Sequence, residues 1–154
     1  MPERRAFNGS FQFSRVPLPT PVNGVEVVLR PYLTVRLSYG RNEPIRFTAL
    51  VDTGADFSLV SREVAEELGV VPEALAGPDY PFQGVGSRNA ARSVELHLET
   101  GYKDEGLSID MPFLVIMNDA LGQTRDILLG RHPLFHSFDF GFRMGFTDDP
   151  EIGK

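Results

Sequence analysis

The 154-residue chain contains no cysteine. That removes disulfides, thiolate metal ligands and a cysteine nucleophile, and it leaves no redox clue to the compartment. Lysine is scarce: Lys103 and Lys154 are the only lysines among 15 basic residues. This reads as a compositional bias of the source, and arginine also suits fork-shaped carboxylate pairing. No run approaches the roughly 18 apolar residues that a membrane-spanning helix needs. Positive charge is not in surplus either. The net charge is −6 at pH 7, which argues against a nucleic-acid partner. The basic N-terminal stretch MPERRAFNGS has no apolar segment behind it, so no secretory signal is visible and a soluble cytoplasmic protein is expected. What remains is ordinary. Hydrophobic residues at 42% and charged residues at 23% exclude a disordered chain, a coiled coil and a collagen-like repeat. The length suits a single domain.

Residues 1–24 read as an irregular N-terminal arm. Pro17, Pro19 and Pro21 alternate with Val16, Leu18 and Thr20, which favours an extended segment, either a flexible arm or a strand-like arm lying on a partner. From Val25 the pattern changes. Leu33, Val35 and Leu37 alternate with polar positions, as do Ile45, Phe47, Ala49 and Val51. Gly40 and Asn42 lie between the two runs, so the pair reads as a β-hairpin. Ser61 is a candidate N-cap for one short helix over about 62–68, stopped by Gly69 and Pro72. The Pro/Gly-rich stretch 72–86 leads to Val94, Leu96 and Leu98 on one strand face, with Glu95, His97 and Glu99 on the other. A further strand is expected over 109–117, and a short apolar one over 126–129 ending at Gly130. A helical turn is expected over 131–136, a strand over 138–146, and an acidic tail over 147–154. Many short strands, one helix and Gly-rich turns indicate a mainly antiparallel β domain, either a small closed barrel or a sandwich.

Three segments carry the candidate chemistry. In FTALVDTGADFSLV an apolar strand runs directly into Asp52-Thr53-Gly54-Ala55. A carboxylate at the end of a buried strand is costly without a partner or a task. Thr53 can hydrogen-bond its surroundings, and Gly54 permits close backbone approach. Alone, the tripeptide turns up by chance in roughly one chain of this length in fifty, and a turn with Asp as a local cap fits it equally. The second segment, FQGVGS, has Gly84, Val85 and Gly86 at the tip of a hairpin, which could be an ordinary surface turn. The third, DILLGRHPLF, is an apolar strand ending in Gly130-Arg131, which could be a core strand with a surface arginine.

Taken together and in this order, ALVDTGAD, GVG and ILLGR resemble the retropepsin-like aspartic protease family. The helix after the first motif and the ending DILLG…FDF look like its cellular branch, such as the protease domain of DNA-damage-inducible proteins. Gly130-Arg131 looks more like the retroviral branch. The resemblance spans about Leu33 to Phe146. It implies a small closed β-barrel with one short helix after the catalytic loop and a flap hairpin, over residues 25–146. It also implies roles. Asp52 matches the catalytic aspartate, and Thr53 and Gly54 match the residues that brace it. Asp56 and Arg131 match an ion pair that buttresses the loop. Gly84, Val85 and Gly86 match the flap tip. Ala55, Leu59, Val60, Leu128 and Leu129 fall where the family lines its substrate cleft or the core beneath it, and Ala55, Asp56, Leu59, Val60 and Leu128 are taken as substrate-binding. No cofactor and no metal are implied. There are departures. Phe57 stands where retroviral members often carry a second acid, and Ser87 stands where many flaps have another glycine. The arm before residue 25 has no assigned counterpart.

The chemistry needs two carboxylates, and the chain holds one Asp-Thr-Gly. Asp139-Phe140-Gly141 lacks the bracing hydroxyl. The second aspartate is therefore expected from Asp52 of another copy across a two-fold axis. Such a pair shares one proton and titrates as a unit, so mildly acidic pH is expected to suit turnover. The expected activity is a homodimeric aspartic endopeptidase acting on extended peptides, with cleavage between large hydrophobic residues as the default. The alternative is a catalytically silent peptide-binding or dimerisation module on the same fold. The intact Asp52-Thr53-Gly54 separates the two, because a module has no chemical need for a buried aspartate beside its symmetry mate. The segment 138–146 suits the dimer interface and the core equally. His132 and His136 lack a third ligand at a metal spacing, and His97, Glu63, Glu66 and Glu67 read as solvated.

Overall fold

The computed structural model describes residues 13–84, 87–101, 106–117 and 127–137. The first two strands, β1 (Ser14–Val22) and β2 (Val25–Arg30), make an antiparallel hairpin of their own. Its turn is Asn23-Gly24, with φ of 49° and 79°, the positive pair that a tight two-residue hairpin turn demands. Over Ser14–Val22 the arm expected of residues 1–24 is strand-like, and the strand it lies on is β2 of its own chain. The alternating prolines do keep the chain extended. They are tolerated within a paired strand because this hairpin has open edges, where a missing N–H leaves no ladder bond broken. The expected division between residues 24 and 25 falls at the end of the hairpin turn.

Strands β3 (Tyr32–Ser38) and β4 (Ile45–Val51) form the hairpin that the alternation predicts, paired from Tyr32↔Leu50 to Leu37↔Ile45. Leu33, Val35 and Leu37 and, across from them, Phe47, Ala49 and Val51 face the core. After the short β5 (Leu59–Val60) comes α1 (Arg62–Glu67). Ser61 caps α1, its Oγ accepting from the Val64 amide at 3.2 Å. Gly69, at φ 89°, ends the helix, and Asn42 Nδ2 donates to the Leu68 carbonyl at 3.0 Å. The β3–β4 hairpin is thereby tied to the helix end.

Strands β6 (Tyr80–Gly84), β7 (Ser87–Thr100), β8 (Leu107–Ile116) and β9 (Ile127–Leu129) complete the sheet, and a four-residue helix α2 (Leu134–Ser137) follows. The ladder order β3-β4-β9-β5-β8-β7 closes because β7 also pairs with β3, from Val35↔Thr100 to Ser38↔His97. Six strands therefore make a closed barrel, which removes their edges. Residues 87–90 of β7 run beyond its pairing with β8, and the strand pairs there with β6 down to Gly84↔Ser87. Val85, Gly86, and the stretches 138–146 and 147–154 lie outside the described residues. No described helix is long and apolar enough to cross a membrane.

Candidate active site

Strand β4 delivers Asp52 to the end of the barrel. Its last residues pair in parallel with β9, Leu50 against Leu128 and Val51 against Leu129. The Asp52 amide continues that ladder, donating to the Leu129 carbonyl at 2.9 Å, while the Val51 amide donates to Pro31 at 3.0 Å. Strand β5 returns on the other side of β9, antiparallel to it. The loop from Asp52 to Ser58 thus wraps the end of a buried strand, and its backbone has partners on both flanks.

Within that loop, the Gly54 amide donates to Asp52 Oδ1 at 2.9 Å. The Ala55 amide donates to the Asp52 carbonyl at 3.2 Å. Asp52 is half-buried, and Thr53 and Gly54 are exposed. A charge-assisted bond from Gly54 fixes the carboxylate at the rim rather than inside the core. The segment after β9 locks the far side. The Arg131 amide donates to the Ala55 carbonyl at 2.9 Å and the His132 amide to the Asp56 carbonyl at 2.8 Å. The Arg131 guanidinium pairs with the Asp56 carboxylate. Both side chains are at least half exposed, so this pair contributes little stability.

Two further residues hold the loop: Ser58, which sequence reasoning passed over, and Gly130, which it marked only as a strand end. Ser58 is fully buried. Its Oγ accepts from the Gly130 amide at 3.0 Å, and its carbonyl accepts from the Leu114 amide at 2.9 Å. A small polar residue inserted before the apolar Leu59-Val60 was the available signal. Gly130 approaches Phe57 so closely that a Cβ there would lie 2.4 Å from the Phe57 carbonyl carbon. Its place at the end of the ILLG run pointed to such a contact without naming the partner.

Other residues fall as follows. Leu128 is half-buried beside the loop, and Ala55 is half-buried within it. Val60, expected to bind substrate, is completely buried and lies in the core cluster. Leu59 is 5% exposed. Both pack beneath the loop, because β5 is sandwiched between β8 and β9, so they support the site without presenting a surface. Phe57 is 51% exposed, and its ring meets that of His132 edge-on at 5.9 Å. Gly84 ends β6, while Val85 and Gly86 lie outside the described residues. His97 stands on the outer face of the barrel, bonded to Asp110 at 2.6 Å and to Ser108 at 2.9 Å. No three metal-ligating side chains converge among the described residues.

The family model described as aspartyl protease matches residues 34–132. The chain belongs to that family. A solved structure of a retropepsin-like aspartic protease from Rickettsia conorii is similar at 25% identity and a TM-score of 0.51, over 75% of this chain and 83% of that one. EIAV protease complexed with the inhibitor HBY-793 is similar at 22% identity and a TM-score of 0.46, over 73% and 93%. The retroviral protease-like domain of Ddi1 from Leishmania major is similar at 21% and 0.41, over 64% and 70%. No curated protein matches the chain. The fold of this aspartyl protease family member is thus a retropepsin-like β-barrel.

Proposed function

We propose that the protein is a homodimeric aspartic endopeptidase in which Asp52 from each of two chains forms the reacting pair. The observation that carries this reading is the Asp52 loop. The Asp52 carboxylate stands at the rim of a closed barrel, fixed by the Gly54 amide at 2.9 Å and by the β9 ladder. The chain has only one such Asp-Thr-Gly, so a two-fold mate supplies the other. The peptidase unit is residues 25–146, and the β1–β2 hairpin crosses its N-terminal bound.

In the proposed pair one carboxyl is protonated and the other ionised. The ionised member takes a proton from a water molecule, whose oxygen attacks the scissile carbonyl carbon. The protonated member hydrogen-bonds the carbonyl oxygen and donates to it as the tetrahedral intermediate forms. Transfer of a proton to the amide nitrogen then lets the C–N bond break, releasing a carboxylic acid and an amine. Thr53 braces the loop, and the Asp56–Arg131 pair keeps it in register. The β6–β7 hairpin covers an extended peptide and bonds to its backbone, with Gly84, Val85 and Gly86 at its tip. Ala55 and Leu128 line an apolar cleft that favours hydrophobic side chains.

The test is cleavage of a peptide library, read by mass spectrometry across acidic to neutral pH at several protein concentrations. The wild-type chain is expected to cut, with activity rising faster than linearly with concentration, and Asp52→Asn to be silent. A folded wild-type chain that cuts nothing while binding extended peptides would instead establish the silent module.

A further inference from the structure

The β1–β2 hairpin shares no ladder with the barrel among the described residues, so each of its strands has an outer edge offering backbone groups to another strand. The two edges are not equivalent. β1 carries Pro17, Pro19 and Pro21, which donate no hydrogen bond and blunt that edge. β2, with sequence VEVVLR, has an amide at every position.

The prolines also fix which way β2 faces. Pro17 is opposite Val27. With no N–H on Pro17, that pair is of the non-hydrogen-bonded kind, and the neighbouring pair Val16↔Val28 is hydrogen-bonded. The N–H and C=O groups of Val27 and Leu29 therefore point away from β1, toward the open edge. The side chains along it are accessible: Val25 is 47% and Val27 38% exposed, and Glu26 and Arg30 are exposed. Among the described residues Glu26 makes no ion pair and Arg30 reaches only the Tyr32 hydroxyl, at 3.5 Å.

We infer that this open β2 edge docks a second copy of the same edge, antiparallel, about a two-fold axis at Val28. The sequence is self-complementary in that register. Glu26 falls opposite the partner's Arg30, and Arg30 opposite the partner's Glu26. Val27 falls opposite the partner's Leu29 on the other face. The outward N–H and C=O groups of Val27 and Leu29 meet in hydrogen-bonded pairs, and Val28 meets its own copy in a non-hydrogen-bonded pair. One slip of register would set Glu26 against an apolar residue and lose both charge pairs. The product is a four-stranded sheet with a proline-blunted strand at each outer edge, so pairing stops at two copies.

The β2 contact is argued from the strand edge alone and does not rest on the proposed activity.

The chain has no cysteine, which makes a single introduced one diagnostic. Val28→Cys places two sulfurs across a non-hydrogen-bonded pair with Cα atoms about 4.5 Å apart, within disulfide reach. Mild oxidation of the full chain is expected to give a covalent dimer on the order of tenfold faster than Val22→Cys, a more exposed but off-axis site at 58%. Adding Glu26→Arg to Val28→Cys is expected to slow the cross-link, and adding Arg30→Glu as well to restore it. Equal rates for Val28→Cys and Val22→Cys, or no recovery in the charge-swapped variant, overturn the inference. A dead Asp52→Asn background would not alter this readout.

Discussion

Replacing Gly130 by alanine adds one methyl at the most crowded point of the candidate site. A Cβ there lies 2.4 Å from both the carbonyl carbon and the oxygen of Phe57 and 2.8 Å from its nitrogen. All three are backbone atoms, and neither segment has room to yield. The Gly130 amide is held by Ser58, the residue before it by the Asp52 amide, and the residue after it by the Ala55 carbonyl. The cost therefore falls at the upper end of overpacking, about 3 kcal/mol. For a chain of this size that lowers the melting temperature by about 6–12 °C. Gly54→Ala is the control. Its Cβ would meet Asp52 Oδ1 at 3.3 Å, a side-chain atom that can give way. Stability should fall by less than about 1 kcal/mol, while the displaced carboxylate costs activity. Thermal melts by circular dichroism, paired with cleavage assays, separate the two variants. A Gly130→Ala protein melting within about 2 °C of wild type would refute the packing argument.

Ser58→Ala strands the buried Gly130 amide and should cost about 1–3 kcal/mol in urea denaturation, whereas Ser58→Thr, which keeps the hydroxyl, should fail by crowding instead. Asp56→Ala or Arg131→Ala should each cost under about 1 kcal/mol in stability, yet lower cleavage more than that figure suggests, because the pair sets loop geometry. Ser61→Ala removes the α1 cap and should cost about 1 kcal/mol without changing cleavage specificity.

Local pattern carried much of the barrel. The alternation in Leu33–Leu37, Ile45–Val51 and Val94–Leu98 predicts strands because each buries one face, and the Ser61 cap predicts a helix from side-chain chemistry alone. The alternating prolines leave β1 legible only as an extended or strand-like arm, and only the pairing with β2 shows that they sit at a tolerant edge. Ser58 and Gly130 act through contacts 72 residues apart, which no window of sequence contains. Val60 follows the exposed Phe57 by three residues, yet lies in the core, because β5 is enclosed on both sides. Nothing local joins Asp56 to Arg131 either; the resemblance to a known family was what brought the two positions together.

The central claim is that two chains share one reacting pair. Mixing wild-type chains with Asp52→Asn chains, allowing exchange, and measuring peptide cleavage tests it directly. With equal amounts at fixed total protein, random pairing leaves about one quarter of dimers with both aspartates, so activity should fall to about one quarter of the wild-type value. A fall to one half, in step with the wild-type fraction, would mean that each chain cuts alone and would contradict the account.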